Sequence, residues 1–243
     1  CRDVCPTGVE PAKLAVKMRE IQESQNSSRW KKWLFDKIFL NPEKLEFSAL
    51  PLRIYQFSGL RWLYYKLGIR SLVPSKIRDW EAMLPKIPVR PFRQTMPELS
   101  PARGEEKYKV GFFLGCAQSL IFAETARAAI RVLNRNNCRV ITPKDSMCCG
   151  VPMRSYGKIE AAQLAAKHNI EVFEKILVDV IVADCATCGS NLKEYPQLFN
   201  DNPEWQERSG KFSAKVKDIS EFLMEIPLQK PAGEVNVTVT YHD

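Results

Sequence analysis

Three short apolar runs, each followed by cysteine residues, constrain the fold of this chain more than any other feature. The runs are Tyr108–Leu114, Cys138–Thr142 and Val178–Ala183, and stretches with a helical pattern lie between them. Strands that alternate with helices indicate βαβ units built around a parallel sheet. The sequence therefore predicts an α/β fold for this part of the chain.

The cysteines fall where such a sheet would bring them together. Cys116 follows the first run, Cys148 and Cys149 lie beyond the second, and Cys185 and Cys188 follow the third. In an open parallel sheet the loops beyond the carboxyl ends of the strands lie along one edge, where ligands bind. If the three strands are parallel neighbours, we expect these five thiols to meet at that edge.

The chemistry of thiolates narrows what these cysteines can hold. Sets of thiolates select zinc, copper(I) or iron–sulfur clusters. Zinc takes four ligands, so five sulfurs favour a cluster with several irons. A zinc site with one spare cysteine and a dithiol redox pair at Cys185 and Cys188 remain open. Disulfide staples are not needed by a chain of 243 residues that is 45% hydrophobic. Cys138 lies inside a strand and reads as a small buried apolar residue outside the site.

The first residues carry a second cysteine motif. Three residues separate Cys1 from Cys5, and Pro6 follows, as in the closing part of the bacterial ferredoxin run C-x2-C-x2-C-x3-C-P. We therefore expect the chain to be part of a longer polypeptide.

Charge and proline content divide the chain into regions. The first 110 residues carry 21 Lys and Arg against 12 Asp and Glu, whereas the remainder carries 15 against 16. Prolines recur through 85–101 and predict an extended linker. No uncharged stretch exceeds the 14 residues of 110–123, which is too short to span a membrane. The predicted regions are a segment with the ferredoxin-like motif (1–9), a mainly helical basic segment (10–84), a Pro-rich linker (85–106), a cysteine-rich α/β domain (107–232) and a last segment with a strand pattern (233–243).

The full cysteine pattern resembles a known family. The order Cys116-x31-Cys148-Cys149-x35-Cys185-x2-Cys188 is similar to the CCG cysteine-rich domain of heterodisulfide reductase B and D subunits and of iron–sulfur subunits of flavin-linked dehydrogenases. The surrounding sequence most resembles the iron–sulfur subunits of glycolate oxidase. The similar stretches are 1–9 (CRDVCPTGV), 52–60 (LRIYQFSGL), 112–123 (FFLGCAQSLIFA), 189–195 (GSNLKEY), 202–205 (NPEW) and 218–222 (DISEF).

This resemblance implies a domain order and a function. It implies that residues 1–9 end a ferredoxin domain and that residues 233–243 begin a second CCG domain. It implies the electron-transfer subunit of a multi-subunit oxidoreductase of the glycolate dehydrogenase type, which passes electrons from an FAD-containing subunit toward quinone. The cofactors implied at the ferredoxin domain are 4Fe–4S clusters, with Cys1 and Cys5 as ligands of two different clusters. At the CCG domain the resemblance implies an iron–sulfur cluster without fixing its type. The implied ligands there are Cys116, Cys148, Cys149, Cys185 and Cys188, none of them a nucleophile. The implied location is the cytoplasm, with peripheral contact to the cytoplasmic membrane.

Other interpretations stay open beside this one. The relatives also allow a heterodisulfide-reductase-like subunit whose cluster performs disulfide chemistry, or a lactate-utilisation-type subunit. A non-enzymatic interaction module stabilised by zinc is an alternative that does not depend on the relatives. His168 reads as a surface or capping residue, and no motif indicates nucleic-acid binding. A basic aromatic group could contact anionic lipid, although helix packing is the preferred interpretation. Its members are Arg61, Trp62, Tyr64, Tyr65, Lys66 and Arg70.

Overall fold

The computed structural model describes residues 11–25, 29–68, 73–229, 231 and 233–240. Cys1, Cys5, Arg70 and His242 lie outside the described residues, so the interpretation of these four stays a prediction.

A five-stranded sheet forms the centre of the cysteine-rich region, in the order β1-β3-β2-β4-β5. The strands β2, β3, β4 and β5 are parallel to one another, and β1 pairs with β3 in the antiparallel sense. In register, Val110 of the central strand lies opposite both Val140 and Val180. The strands are β1 (Leu99–Ser100), β2 (Tyr108–Phe112), β3 (Cys138–Ile141), β4 (Val180–Ala183) and β5 (Val216–Asp218). The predicted α/β class with three parallel neighbouring strands is confirmed.

Helices surround the sheet and make up most of the chain before it. A π-helical turn at Phe35–Phe39 continues the helix Arg29–Leu34, and a 3-10 turn at Tyr195–Phe199 follows the helix Ala186–Lys193. In chain order the helices are α1 (Pro11–Gln25), α2 (Arg29–Leu34), α3 (Pro42–Ser48), α4 (Leu50–Phe57), α5 (Leu60–Lys66), α6 (Ser75–Ala82), α7 (Phe92–Thr95), α8 (Cys116–Leu120), α9 (Ala123–Arg135), α10 (Val151–Ser155), α11 (Ile159–Glu174), α12 (Ala186–Lys193), α13 (Pro203–Ala214) and α14 (Ile219–Glu225).

The core lies on both faces of the sheet, because side chains along a strand alternate between the two faces. Val110 and Phe112 pack with α9 and α14 on one face. Phe113 and Ile181 pack with α11, α12 and α13 on the other. The connection from β2 to β3 through α9 and that from β3 to β4 through α11 thus cover opposite faces. The strand order reverses between β2 and β4, which is the point where doubly wound sheets bind ligands.

The helical segment before the sheet packs onto the cysteine-rich region. Phe35 is 4% exposed and belongs to the same apolar core as Cys148 and Cys149. The Arg19 guanidinium donates a 2.8 Å hydrogen bond to the carbonyl oxygen of Ser155. The segment is therefore attached to the cysteine-bearing side of the sheet.

Two segments differ from their predicted structure. Part of the predicted linker folds into the sheet domain: Phe92 and Met96 are buried beside Val110 and Val140, and Leu99 pairs with Ile141 in β1. The predicted strand from Val235 is not formed in the described residues, where 234–240 belong to no element. An alternating apolar pattern becomes a strand only when a neighbour completes its hydrogen bonds, and no described strand pairs with this one.

Candidate metal centre

The five predicted cysteines lie at the carboxyl edge of three adjacent strands. Cys116 begins α8, two residues beyond Leu114, and Cys185 immediately precedes α12, whose first turn contains Cys188. Cys148 and Cys149 lie in the loop between β3 and α10. Parallel pairing of β3, β2 and β4 thus brings three distant turns to one place.

Contacts among the thiols run across the whole group. The Sγ atoms of Cys116 and Cys148 are 3.9 Å apart, although the residues belong to different turns. Cys148 interacts with Cys149, Cys149 with Cys188, and Cys188 with Cys185. All five thiols therefore form one continuous cluster of sulfur atoms.

The thiols divide into proton donors and acceptors. Hydrogen bonds from the thiols of Cys148 and Cys188 lower the pKa of Cys149. A hydrogen bond from the thiol of Cys188 lowers the pKa of Cys185 to about 5. Donation to Cys148, with burial, raises the pKa of Cys116. The contact with Cys116 lowers the pKa of Cys148, but the bond to Cys149 and burial outweigh it and bring that pKa to about 12. The lowered pKa values of Cys149 and Cys185 favour their thiolate forms, and the thiolate is the form in which cysteine binds metal.

Three buried polar side chains hold the Cys148–Cys149 loop. Asn169 accepts from the Met147 amide at 2.8 Å and donates to the carbonyl oxygen of Cys148 at 3.1 Å. The Cys149 carbonyl oxygen accepts from the Asn191 amide at 2.6 Å and from the Tyr195 hydroxyl at 3.0 Å. Burial raises the pKa of Tyr195 above its usual value, which keeps this hydroxyl protonated and able to donate.

Two glycines permit the close approach of these turns. A Cβ atom on Gly115 would lie 3.3 Å from the Sγ of Cys188 and 2.7 Å from the Oε1 of Gln118. Gly150, directly after the cysteine pair, has φ of +97°, a backbone conformation that favours glycine. Small residues at these positions let one turn lie against the thiol of another.

The five thiols can be compared with the ligands of a single metal ion and with the ligands of an iron–sulfur group. In the described part of the chain, no three or more Cys, His, Asp or Glu side chains are arranged as the ligands of a metal ion. The sulfur atoms instead extend over five residues on three turns. Buried polar atoms without a partner, the Oε1 of Gln118 and the carboxylate oxygens of Asp184, lie beside them. Thiolates in this number fit the ligands of an iron–sulfur group better than a single tetrahedral ion.

Residues that the sequence placed outside the site lie outside it. Cys138 is fully buried at the start of β3, where burial raises the pKa of its thiol to about 11. The Nε2 of His168 lies 2.8 Å from the carbonyl oxygen of Asp145 and not among the thiols.

The basic aromatic group is divided by the structure. Arg61 and Tyr65 donate hydrogen bonds of 3.0 and 2.5 Å to the carboxylate of Glu81, although Tyr65 stays 43% exposed. Trp62 stays 61% exposed, with the Lys66 ammonium 4.4 Å from its ring centre. The group therefore contributes both to helix packing and to the surface.

Comparisons with known proteins agree with this architecture. Residues 110–193 match the family model of the CCG cysteine-rich domain, and residues 27–84 match the model of the glycolate oxidase iron–sulfur subunit linker region. No solved structure matches. The fold and the cysteine edge thus define a protein of the CCG cysteine-rich class.

Relatives make the assignment more specific. A probable glycolate oxidase iron–sulfur subunit of Bacillus subtilis is 32% identical over 250 residues, which cover all of this chain and 56% of the relative. An uncharacterized iron–sulfur protein of Methanococcus maripaludis is 40% identical over 57% of this chain and 25% of its own length. Lactate utilization protein A of Shouchella clausii is 32% identical over 55% of each chain. The chain thus carries a CCG cysteine-rich domain and the linker region of the glycolate oxidase iron–sulfur subunits, and it spans little more than half of this Bacillus subtilis relative.

The side chains that hold the cysteine loop were not identified from the sequence. Asn169 lies on an otherwise apolar helix face between Ala166 and Ile170 and is fully buried. A single asparagine in the inward-facing row of a helix is a signal that could have found it, because a buried amide requires partners.

Proposed function

We propose that this chain is the electron-transfer part of a multi-subunit oxidoreductase that oxidises a 2-hydroxy acid such as glycolate. Electrons would come from an FAD-containing subunit and continue toward quinone. The observation that carries this proposal is the meeting of five thiols from three turns at one sheet edge, with the spacing of the CCG family.

Seven of the eight cysteines have a role in this proposal. Cys116, Cys148, Cys149, Cys185 and Cys188 would hold an iron–sulfur group, which supplies one-electron redox chemistry when bound. Cys1 and Cys5 would be ligands of two 4Fe–4S clusters in the ferredoxin domain that ends near residue 9. Residues 107–232 would form one complete CCG domain, and residues 233–243 would begin a second.

The remaining residues of the site hold the cysteine loop in place and keep water away from it. The Asn169, Asn191 and Tyr195 side chains fix the carbonyl groups of the cysteine pair, so the thiols need little rearrangement to bind metal. Phe35 belongs to the same buried apolar core as Cys148 and Cys149, and this core excludes water. Exclusion of water and hydrogen bonding near sulfur are the means by which a protein sets the potential of such a group.

Metal analysis of the full-length protein, purified without oxygen, tests the proposal. We expect iron and acid-labile sulfide in the wild type and a loss of both from the CCG site in Cys149→Ser. The matched control is Cys138→Ser, which changes a buried cysteine outside the site and retains a donor for the Asn136 carbonyl oxygen. Zinc without sulfide would contradict the proposal and favour a structural metal site.

A second substrate follows from the relatives named for lactate utilisation. In that case the partner flavoprotein would oxidise lactate instead of glycolate. Adding each acid to the complex without oxygen and following cluster reduction by EPR separates the two. Reduction by glycolate supports the first proposal, and reduction by lactate alone supports the second. Turnover of a disulfide substrate without either acid would instead favour the heterodisulfide-reductase type.

We propose peripheral contact with the cytoplasmic membrane as part of the same function. In the described chain no helix combines the length and apolar character needed to cross a membrane. The support for surface contact is the exposed Trp62 beside Lys66, together with the basic charge of the first 110 residues. We expect the protein to bind anionic vesicles, and we expect this binding to weaken with added salt and in Trp62→Ala. Binding that is unchanged by salt and by Trp62→Ala would contradict the proposal.

A further inference from the structure

An ion pair is buried where the linker segment, by which we mean the described part of residues 27–84, meets the cysteine edge. Glu46 of α3 and Arg93 of α7 lie 3.3 Å apart between Oε1 and Nε, and their side chains are 5% and 9% exposed. Asn41 caps α3 by accepting from the Lys44 amide, which fixes the direction of this short helix. Two charges are retained in such a place only when both are well paired.

Arg93 is attached to the loop that carries Cys148. Its Nη1 donates to the carbonyl oxygen of Lys144 and lies 3.4 Å from the hydroxyl of Ser146. Both residues precede Cys148 in the same loop. The position of the guanidinium therefore determines where this loop can lie.

The same arginine is attached to the turn of Cys116. Its backbone amide donates to the hydroxyl oxygen of Ser119 at 3.3 Å, and that hydroxyl donates to the Oε1 of Glu46 at 2.8 Å. Ser119 lies one helical turn after Cys116 in α8. Arg93 and Glu46 thus connect two turns whose sulfur atoms are 3.9 Å apart.

The pair also places charge beside these sulfur atoms. Glu46, Arg93, Cys116 and Cys148 line one small cavity of about 10 Å³. The Nε of Arg93 makes no hydrogen bond, so its contact with Glu46 is ionic. A buried charge in a region of low dielectric acts strongly on neighbouring groups.

We propose that Arg93 is a positioning residue of the cysteine centre. It joins the turn of Cys116 to the loop of Cys148, and Glu46 from the linker segment balances its charge beside both sulfur atoms. This inference rests on the proposed iron–sulfur function in one respect only, the effect of the charge on a bound cluster. The linker segment then contributes directly to the metal centre.

The charge is tested on the loaded full-length protein by an EPR-monitored redox titration. Glu46→Gln keeps the size of the side chain and leaves the positive charge of Arg93 unbalanced. Since a positive charge favours the reduced, more negative cluster, its midpoint potential should shift upward. Adding Arg93→Met to Glu46→Gln should shift the midpoint downward again. Equal midpoints in all three proteins would overturn the role of the charge.

The bridging role is tested with Arg93→Lys, which keeps the charge and loses the branched guanidinium. Loss of a supporting contact to a ligand loop typically lowers metal affinity by about 10-fold or more. We expect iron to be lost about 10-fold faster to a chelator, with the midpoint potential near that of the wild type. Arg61→Lys is the matched control, because Arg61 pairs with Glu81 among the linker helices. Identical iron loss in Arg93→Lys and Arg61→Lys would contradict bridging.

A measurement on the cluster-free chain separates this inference from the proposed function. Diamide oxidation of Cys116 and Cys148 to a disulfide, followed by peptide mass spectrometry, reports how well the two turns are held together. The Cys116–Cys148 crosslink should form more slowly in Arg93→Lys than in the wild type or in Arg61→Lys. If the wild type holds no iron or sulfide, the proposed function fails and this measurement alone decides the inference. Equal rates in all three proteins would overturn it.

Discussion

The hydroxyl of Tyr195 donates a 3.0 Å hydrogen bond to the carbonyl oxygen of Cys149, 46 residues earlier in the chain. A 3-10 turn after α12 thereby fixes the loop that follows β3. The geometry of the thiols thus depends on side chains that are not themselves ligands.

Removal of this hydroxyl should loosen the cysteine loop. In Tyr195→Phe the Cys149 carbonyl retains only the Asn191 amide, and we expect a loss of about 1 kcal/mol in the free energy of unfolding. Urea denaturation of the cluster-free protein measures this. Tyr156→Phe is the control, because Tyr156 is 56% exposed, and a change within about 0.5 kcal/mol is expected there. Equal losses in the two variants would refute the assigned bond.

A methyl group at Gly115 should disturb the metal centre more than the fold. In Gly115→Ala the new Cβ would approach the Cys188 sulfur to 3.3 Å, a contact that requires the thiol to move by a few tenths of an ångström. We expect less iron per chain after reconstitution, measured by iron and sulfide analysis. In Gly210→Ala nothing lies within 4 Å of the added atom, and α13 should gain up to about 1 kcal/mol in helix stability without loss of iron. Full iron content in Gly115→Ala would argue against close packing of these turns.

Truncation of Phe35 should detach the linker segment from the cysteine edge. Phe35 is 4% exposed, and Phe→Ala changes in a core cost about 3 kcal/mol or more. Faster hydrogen exchange in α3 and in residues 142–149 of Phe35→Ala, measured by mass spectrometry, is the expected result. Trp33, 59% exposed in the preceding helix, supplies the control Trp33→Ala. Unchanged exchange at 142–149 would show that the loop does not depend on the segment.

The buried carboxylate of Glu81 should make the linker helices sensitive to acid. Burial opposes ionisation, but hydrogen bonds from Tyr65 and Tyr55 and the charge of Arg61 outweigh it and lower the pKa of Glu81 below 4.5. A lowered pKa means that ionised Glu81 stabilises the folded state above the unfolded pKa and that this contribution is lost as the pH falls through the folded value.

Comparison of the wild type with Glu81→Gln isolates that contribution. The variant should be less stable to urea at pH 7, and the difference should shrink as the pH is lowered below 4.5. Glu204→Gln changes a carboxylate that is 74% exposed and should show a small difference at both pH values. A difference for Glu81→Gln that grows on acidification would contradict the assigned direction.

The sheet and the position of the thiols were predictable because their signals are local. An apolar run such as Val178–Ala183 indicates a buried strand, and parallel pairing then brings the following cysteines to one edge. The strands β1 and β5 are two and three residues long and become strands only through pairing. Their sequences carry no period that identifies them.

The contacts between the linker segment and the sheet domain could not be predicted in the same way. Glu46 lies in a short charged helix, where a carboxylate is expected at the surface. Its burial depends on Arg93 at a position 47 residues later, and no periodic pattern connects the two. Proline spacing predicted an extended linker at 85–101, whereas the apolar side chains of Phe92 and Met96 determine its packing.

The three thiol-bearing turns have a consequence for assembly. Each turn reaches its place only after β3, β2 and β4 have paired, and these strands are separated in the chain by complete helices. Contacts of such long range form late in folding. A newly synthesised chain therefore exposes separate, unprotected sulfhydryls until the sheet has formed. Under the proposed function, an iron–sulfur group at this edge could be completed only after tertiary folding.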